Sequence, residues 1–142
     1  MTPTIPRPLH RTLVLAGLLC ASVGALAHHA FAAEFDAEQP LSVSGTVTKL
    51  KLVNPHSWLY LDITAPDGTV TNWGFEFGAP FALQERGLAR TDLPPGAVVS
   101  IRGFKSKNGK PYGYASTVTL KDGRSFAVGG AQDSPAQPAG AR

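Results

Sequence analysis

The feature that most constrains the fold of this chain is a series of short segments in which apolar and polar residues alternate. In residues 41–49, the odd positions from 41 to 47 carry Leu, Val, Gly and Val, and the even positions carry serine and threonine. A period of two is typical of a half-buried β-strand. The alternation shifts by one position at Leu50 and Leu52, which predicts a β-bulge or a strong bend at the end of this first strand.

Later segments repeat the strand pattern and are separated by turn signals. Further strands are predicted at 57–64, 69–77, 97–104, 112–120 and 125–128. Pro66-Asp67-Gly68, Asn108-Gly109 and Asp122-Gly123 lie between neighbouring segments and are typical of hairpin turns. The chain is therefore expected to be rich in antiparallel hairpins.

A short helix is predicted between the third and fourth strands. Pro80 suits its first turn, Phe81 and Leu88 are spaced to share one face, and Gly87 can end it. Three strands, one helix and a closing hairpin follow the order of an OB-fold, a small Greek-key β-barrel. The sequence predicts a mainly β, OB-fold-like barrel of five to six strands with one short helix between strands 3 and 4. The alternatives are another small β-barrel and an open sheet packed on one helix.

The first 27 residues have the pattern of a secretory signal peptide. Arg7 and Arg11 precede an apolar run over 13–19, and 25–27 has the small-x-small sequence that signal peptidase recognises. The apolar run is too short to predict a membrane span. We expect a periplasmic or secreted protein with no integral membrane span after signal cleavage.

The position of the cleavage site decides which residue begins the mature chain. Cleavage after Ala27 would place His28 at the new N-terminus. Cleavage after Ala32 is the alternative, because 30–32 also fits the small-x-small pattern. We favour Ala27, since the later site lies far from the apolar run.

The organisation expected from these patterns has four parts. They are a signal peptide at 1–27, a lead-in segment at 28–40, an OB-like β-barrel domain at 41–128 and a disordered tail at 129–142. The tail is predicted from its Gly, Ala, Gln, Ser and Pro content and its lack of apolar periodicity.

Composition restricts the classes of function. Loss of Arg7 and Arg11 with the signal would leave eleven basic and ten acidic residues, so a nucleic-acid partner is not expected. The single Cys and the single Met both precede the cleavage site, so the mature chain offers no sulfur ligand and no cysteine nucleophile. Phosphate-loop and dinucleotide motifs are also absent from the sequence. A binding module is favoured over an enzyme.

Five ordered motifs resemble a known family. They are HHAFAAEFD at 28–36, SGTVTKL at 44–50, NPHSWLYLD at 54–62, NWGFEFGAP at 72–80 and PPGAVVSIRGFKSKNG at 94–109. Together they are similar to a bacterial family of small exported proteins classified as a domain of unknown function. The resemblance covers nearly the whole mature chain apart from the tail and implies an exported, β-rich domain without an established activity.

Three histidines form the candidate metal site. An N-terminal His28 would offer its amine and its imidazole as a chelate, and His29 or His56 would add a further imidazole. An all-nitrogen set favours Cu(II), with Zn(II) or Ni(II) as alternatives. The other interpretation makes His28 and His29 part of a mobile terminus and His56 an ordinary turn residue bonded to the backbone.

The spacing of two phenylalanines bears on whether the N-terminus is held in place. Phe31 and Phe35 are four apart, which fits one face of a helical turn. Such a turn would pin the N-terminus to the barrel and place His28 in space. The alternative is a flexible lead-in.

An aromatic face on the second and third strands is the candidate ligand surface. Trp58 and Tyr60 share one face of the second strand, and Glu76 is expected on the exposed face of the third. Aromatics beside acids can stack on a sugar, a base or a peptide ring. These residues favour a metal-free accessory module whose partner is a periplasmic protein, a peptide or a saccharide. The alternative is that the aromatics only cover the end of the core.

Two further interpretations stay open at this point. Lys105, Lys107 and Lys110 surround the Asn108-Gly109 turn and either attract an anionic partner or form a solvated hairpin tip. A copper redox enzyme built on an N-terminal histidine is a third class of function, for which no substrate platform is identified.

Overall fold

The computed structural model describes residues 30–131 and 134–135. The predicted signal peptide, His28, His29 and most of the predicted tail lie outside the described residues. The strands are β1 (Phe35–Lys51), β2 (Trp58–Thr64), β3 (Val70–Glu76), β4 (Val98–Ser106), β5 (Tyr112–Leu120) and β6 (Ser125–Ala127). The helices are α1 (Ala30–Glu34), α2 (Pro80–Glu85) and a 3-10 turn at Arg90–Asp92.

The strands form one sheet that closes on itself. Their order is β3-β2-β1-β4-β5-β6, and an additional pairing of β3 with β5 completes a ring of hydrogen bonds. Adjacent strands in this order are antiparallel, whereas the additional pair, β3 and β5, is parallel. The mainly β, OB-fold-like prediction is confirmed, including one short helix between strands 3 and 4.

The first strand is longer than the alternating pattern predicts. It has 17 residues and begins at Phe35, because residues 35–40 run beside β4 without regular alternation. The predicted bulge is confirmed, since the pairing of β1 with β2 shifts between Val47 and Lys49. This irregularity lets one strand pair with β4 along most of its length and with β2 near its end.

The main core lies inside the ring of strands. Leu59, Leu61, Phe75, Ile101 and Val118 are fully buried there, on the strand faces that alternation predicts to be inward. Alternation places Thr71 on the same face of β3 as Phe75, yet Thr71 is exposed. It is paired with Ile63 near the tip of the β2–β3 hairpin.

Helix α2 covers one part of this core with a different residue from the one predicted. Leu83 and Leu88 are buried, but Phe81 is 69% exposed, so its predicted place on one face with Leu88 is wrong. The helix has only six residues, and Gly87 ends the helical segment with a φ of +84°. Leu88 therefore reaches the core from a turn rather than from the helical face that spacing assumes.

A second, separate cluster joins α1 to the sheet. We call Phe31, Phe35, Phe104 and Tyr114 the aromatic cluster; all four side chains are buried. Tyr114 and its neighbour Ala115 point to opposite faces of β5, and Ala115 belongs to the main core. The aromatic cluster is thus packed against the outside of the ring.

Within the described part of the chain, no helix is long and apolar enough to cross a membrane.

Candidate functional site

The candidate site is centred on an ion pair between His56 and Glu76. His56 lies in the loop between β1 and β2, and Glu76 is the last residue of β3. Nδ1 of His56 is 2.8 Å from Oε1 of Glu76, and the imidazole side chain is 33% exposed. One partner therefore reaches solvent while the other is held inside the protein.

Glu76 is buried, which corrects its predicted place among exposed residues. The residue is 7% exposed although it lies on the face of β3 opposite the main core. At Gly74–Glu76 the strand is paired on both sides, with β2 and with β5, so this position is interior to the sheet. His56 covers the carboxylate from the adjoining loop. Ring closure, which single-strand alternation does not reveal, explains the difference.

The electrostatic environment of Glu76 combines three effects. Burial raises the pKa of its carboxyl group, the nearby His56 opposes that rise, and the charge of Glu34 adds to it. Glu34, at the C-terminal end of α1, therefore acts on the carboxyl group of Glu76 and not on the imidazole contact itself.

The contact with Glu76 selects one tautomer of the neutral His56 imidazole. A carboxylate acceptor at Nδ1 favours the proton on that nitrogen, which leaves Nε2 with its lone pair in the neutral imidazole. Histidines that bind metals commonly have this arrangement, in which the other ring nitrogen donates to a carboxylate. The arrangement can serve a metal, and it can equally serve a hydrogen bond to an uncharged ligand.

The N-terminal segment is held by aromatic contacts, as the spacing of Phe31 and Phe35 predicts. Their ring centroids are 5.6 Å apart, and Phe31 meets Phe104 and Tyr114 edge-on at 5.4 Å and 5.0 Å. Such edge-to-face pairs are favourable beyond the area they bury. The prediction of a helical turn that pins this segment to the barrel is confirmed.

Lys107, one of the lysines around the Asn108-Gly109 turn, has a structural role that the sequence does not indicate. Its Nζ donates to the carbonyl oxygen of Ala32, and its backbone N–H donates to the carbonyl oxygen of Glu34 at 2.9 Å. A cation at the C-terminal end of a helix also interacts favourably with the helix dipole. One lysine of the hairpin tip therefore fastens α1 to the sheet. The sequence shows that lysines surround this turn, but it does not show that one of them contacts a helix.

The aromatic surface of β2 is partly packed. The rings of Trp58 and Tyr60 stack at 6.4 Å, and Trp58 also lies 6.3 Å from Tyr112. A Cβ at Gly74 would come within 3.3 Å of Tyr60 and 3.5 Å of Trp58, so both rings rest over this glycine of β3. Tyr112 was not singled out by the sequence and extends the surface onto β5. All three aromatics remain half-buried rather than fully covered.

One family model matches this chain. The model of a family of unknown function, DUF6152, matches residues 15–115. The chain belongs to this family. The resemblance drawn from the five motifs is thereby confirmed. No curated protein matches the chain.

The segment matched by the DUF6152 model includes every residue singled out as a candidate. The structure brings Glu76 against His56 and pairs it in register with Trp58, and Tyr60 is adjacent on the same strand face. His28 and His29 lie outside the described residues. Within residues 30–131 and 134–135, no group of three or more His, Cys, Asp or Glu side chains is arranged to hold a metal ion.

Proposed function

We propose that this protein is an exported module that binds one Cu(II) ion through His28, His29 and His56, with His28 as the mature N-terminal residue. The observation that carries the proposal is the 2.8 Å contact between Nδ1 of His56 and the buried Glu76. It orients the imidazole, leaves Nε2 as the free donor, and places a negative charge behind the ligand.

The docking of α1 supports the participation of the N-terminal histidines. Phe31 is anchored in the aromatic cluster, and His28 precedes it by three residues. Three residues span at most roughly 10 Å, so the anchor confines the amino group of a mature N-terminus to a short radius. Glu76 is paired in register with Tyr114 of β5, and the ring centroid of Tyr114 lies 5.0 Å from that of Phe31. The anchor at Phe31 and the contact at Glu76 are therefore linked through one residue.

The chemistry of the donors favours Cu(II). A terminal amine and imidazole nitrogens form an all-nitrogen set, and the affinity of such a set for divalent first-row metals is highest for Cu(II), above Ni(II) and Zn(II). All these donors bind in their neutral forms, so the affinity should fall as the pH is lowered. The protein would serve metal handling or delivery in the periplasm, with a metal ion or a periplasmic protein as its partner.

The test is a Cu(II) titration of the mature protein followed by electron paramagnetic resonance, after its intact mass has located the cleavage site. We expect one Cu(II) per chain with nitrogen hyperfine coupling. His28→Ala, or one extra residue before His28, should abolish this signal, and His56→Ala should change its coupling. Glu76→Gln should weaken binding by about 10- to 100-fold, as for other residues that orient a metal ligand.

The matched control is Glu38→Gln, which removes a carboxylate from an exposed position of β1. It should leave the affinity unchanged. Undiminished uptake after His28→Ala, or a mature mass that shows cleavage after Ala32, would refute the copper site.

A second candidate is a metal-free accessory module that binds a peptide, saccharide or protein through Trp58 and Tyr60. The stacked and half-exposed rings favour it. Glu76 no longer belongs to this surface as an exposed contact, because it is buried against His56. This candidate predicts partner binding that persists with a chelator present and is lost in Trp58→Ala.

A further inference from the structure

A cavity outside the His56 site lies where β1 meets α2 and the 3-10 turn. Its volume is about 310 Å³, at the lower end of the ~300–1,000 Å³ usual for small-molecule sites. Five leucines form most of its wall: Leu50, Leu52, Leu83, Leu88 and Leu93. None of the residues that line it belongs to the histidine site or to the aromatic surface of β2.

The β1 bulge explains why the cavity is apolar. After the register shift at Val47 and Lys49, Leu50 and Leu52 change parity and line this space from the sheet side. Both side chains remain partly exposed, whereas Leu83 and Leu93 on the other side are buried. The cavity is thus an opening in the end of the main core rather than a surface dimple.

One cation, Arg90, lines this cavity. Arg90 and Gln84 are the polar side chains among its lining residues, and both are exposed. A neighbouring depression of about 490 Å³ shares Leu50, Leu93 and Arg90 with the cavity and adds Lys49. An apolar chamber therefore continues into a groove with positive charge.

The acid nearest in sequence to Arg90 is already paired. Asp92 accepts a hydrogen bond from the backbone of Ala89 at 2.8 Å and forms a 2.9 Å ion pair with Arg124. Within the described residues Arg90 has no ion pair of its own. The guanidinium is left available for an anion that comes from outside the chain.

We propose that this cavity binds a linear anionic amphiphile, with its hydrocarbon chain among the leucines and its carboxylate on Arg90. The leucine walls provide the apolar burial, and the planar guanidinium can donate two parallel hydrogen bonds to a carboxylate. This site is separate from the proposed copper site and does not depend on it.

The test compares decanoate with decanol, which has the same chain without the charge, in the presence of a chelator. Each is titrated into the isotopically labelled mature protein, and amide shifts in proton–nitrogen correlation spectra are followed. We expect saturable shifts at residues 83–93 and 50–52 with both ligands. Arg90→Gln should weaken decanoate binding by about tenfold, the usual loss for one charge-assisted contact, and leave decanol binding unchanged.

Two further variants separate the cavity from general surface binding. Ala89→Phe should narrow the cavity and weaken both ligands, whereas Val70→Ser removes an exposed apolar side chain elsewhere and should weaken neither. The proposal is overturned if neither ligand gives saturable shifts. It is equally overturned if the shifts centre on exposed residues such as Val70 and Val98, or if decanoate binding ignores Arg90→Gln.

Discussion

The main core and the aromatic cluster are built from different materials and have different consequences. The main core is largely aliphatic, and the alternation of the strands predicts most of its members. The aromatic cluster has four members, drawn from α1, the start of β1, and the strands β4 and β5. The main core fills the ring of strands, whereas the aromatic cluster attaches α1 and the segment around Ala131 to the outside of the ring.

The attachment made by the aromatic cluster involves both ends of the described chain. Phe31 enters it from the N-terminal side, while the hydroxyl of Tyr114 accepts a hydrogen bond from Ala131 at 3.0 Å and donates one to Ser134 at 3.2 Å. Residues near the start of the predicted tail thus contact the fold. The position of the N-terminal segment, on which the copper proposal depends, is therefore set by different contacts from those that stabilise the ring of strands.

The largest expected effect comes from Phe75→Ala in the main core. The residue is fully buried, and truncation of a buried phenylalanine costs about 3–5 kcal/mol in transfer and cavity terms. The free energy of unfolding from urea denaturation should fall by that amount, with all probes changing together. A loss below about 1 kcal/mol, which is the average effect of a single substitution, would show that the main core does not hold the ring of strands together.

A smaller and more local effect is expected for Phe31→Ala in the aromatic cluster. Because α1 has only five residues and packs outside the ring of strands, it can detach without unfolding the sheet, so the loss should be about 1–3 kcal/mol. Amide hydrogen exchange should lose protection at 31–36 and keep it in β2.

Phe81→Ala is the matched control for this variant, because Phe81 is 69% exposed. It should change the free energy of unfolding by no more than about 0.5 kcal/mol. Equal loss of protection in α1 and β2 after Phe31→Ala would mean that the two clusters unfold as one unit.

The smallest effect is expected for Lys107→Met. This change keeps the aliphatic stem but removes the donor to the carbonyl oxygen of Ala32, and an exposed hydrogen bond of this kind contributes about 0.5–1.5 kcal/mol. Exchange at the end of α1 should become faster. Lys105→Met, on the same hairpin, should leave the exchange rates of α1 unchanged. If the two variants exchange at the same rate, Lys107 does not fasten α1.

The candidate site was only partly accessible to sequence reasoning. The histidine of the β1–β2 turn, the aromatics of β2 and the helical spacing of Phe31 and Phe35 all stand out as local patterns. The contact between His56 and Glu76 does not stand out, because the two residues are twenty positions apart and meet only when β2 pairs with β3, which sets Trp58 opposite Glu76. Tyr112 and the fastening role of Lys107 likewise depend on contacts between segments that are distant along the chain.

What the sequence determined by itself is the set of strands, the turns between them and the inward face of each. These follow from alternation and from turn residues such as Asn108-Gly109, where the glycine has a φ of +72°. Both signals come from residues that are close in sequence, so they can be recognised without knowing which elements pack together in the fold.

The tertiary structure alone decided which side chains are covered. Glu76 became buried because β3 is paired on both sides at its end, and Phe81 became exposed because α2 is too short to keep its face on the core. Burial depends on elements that are distant along the chain, and the closing of the ring brings those elements together. The contact between His56 and Glu76, on which the proposed function rests, forms where the loop before β2 meets the end of the β2–β3 hairpin.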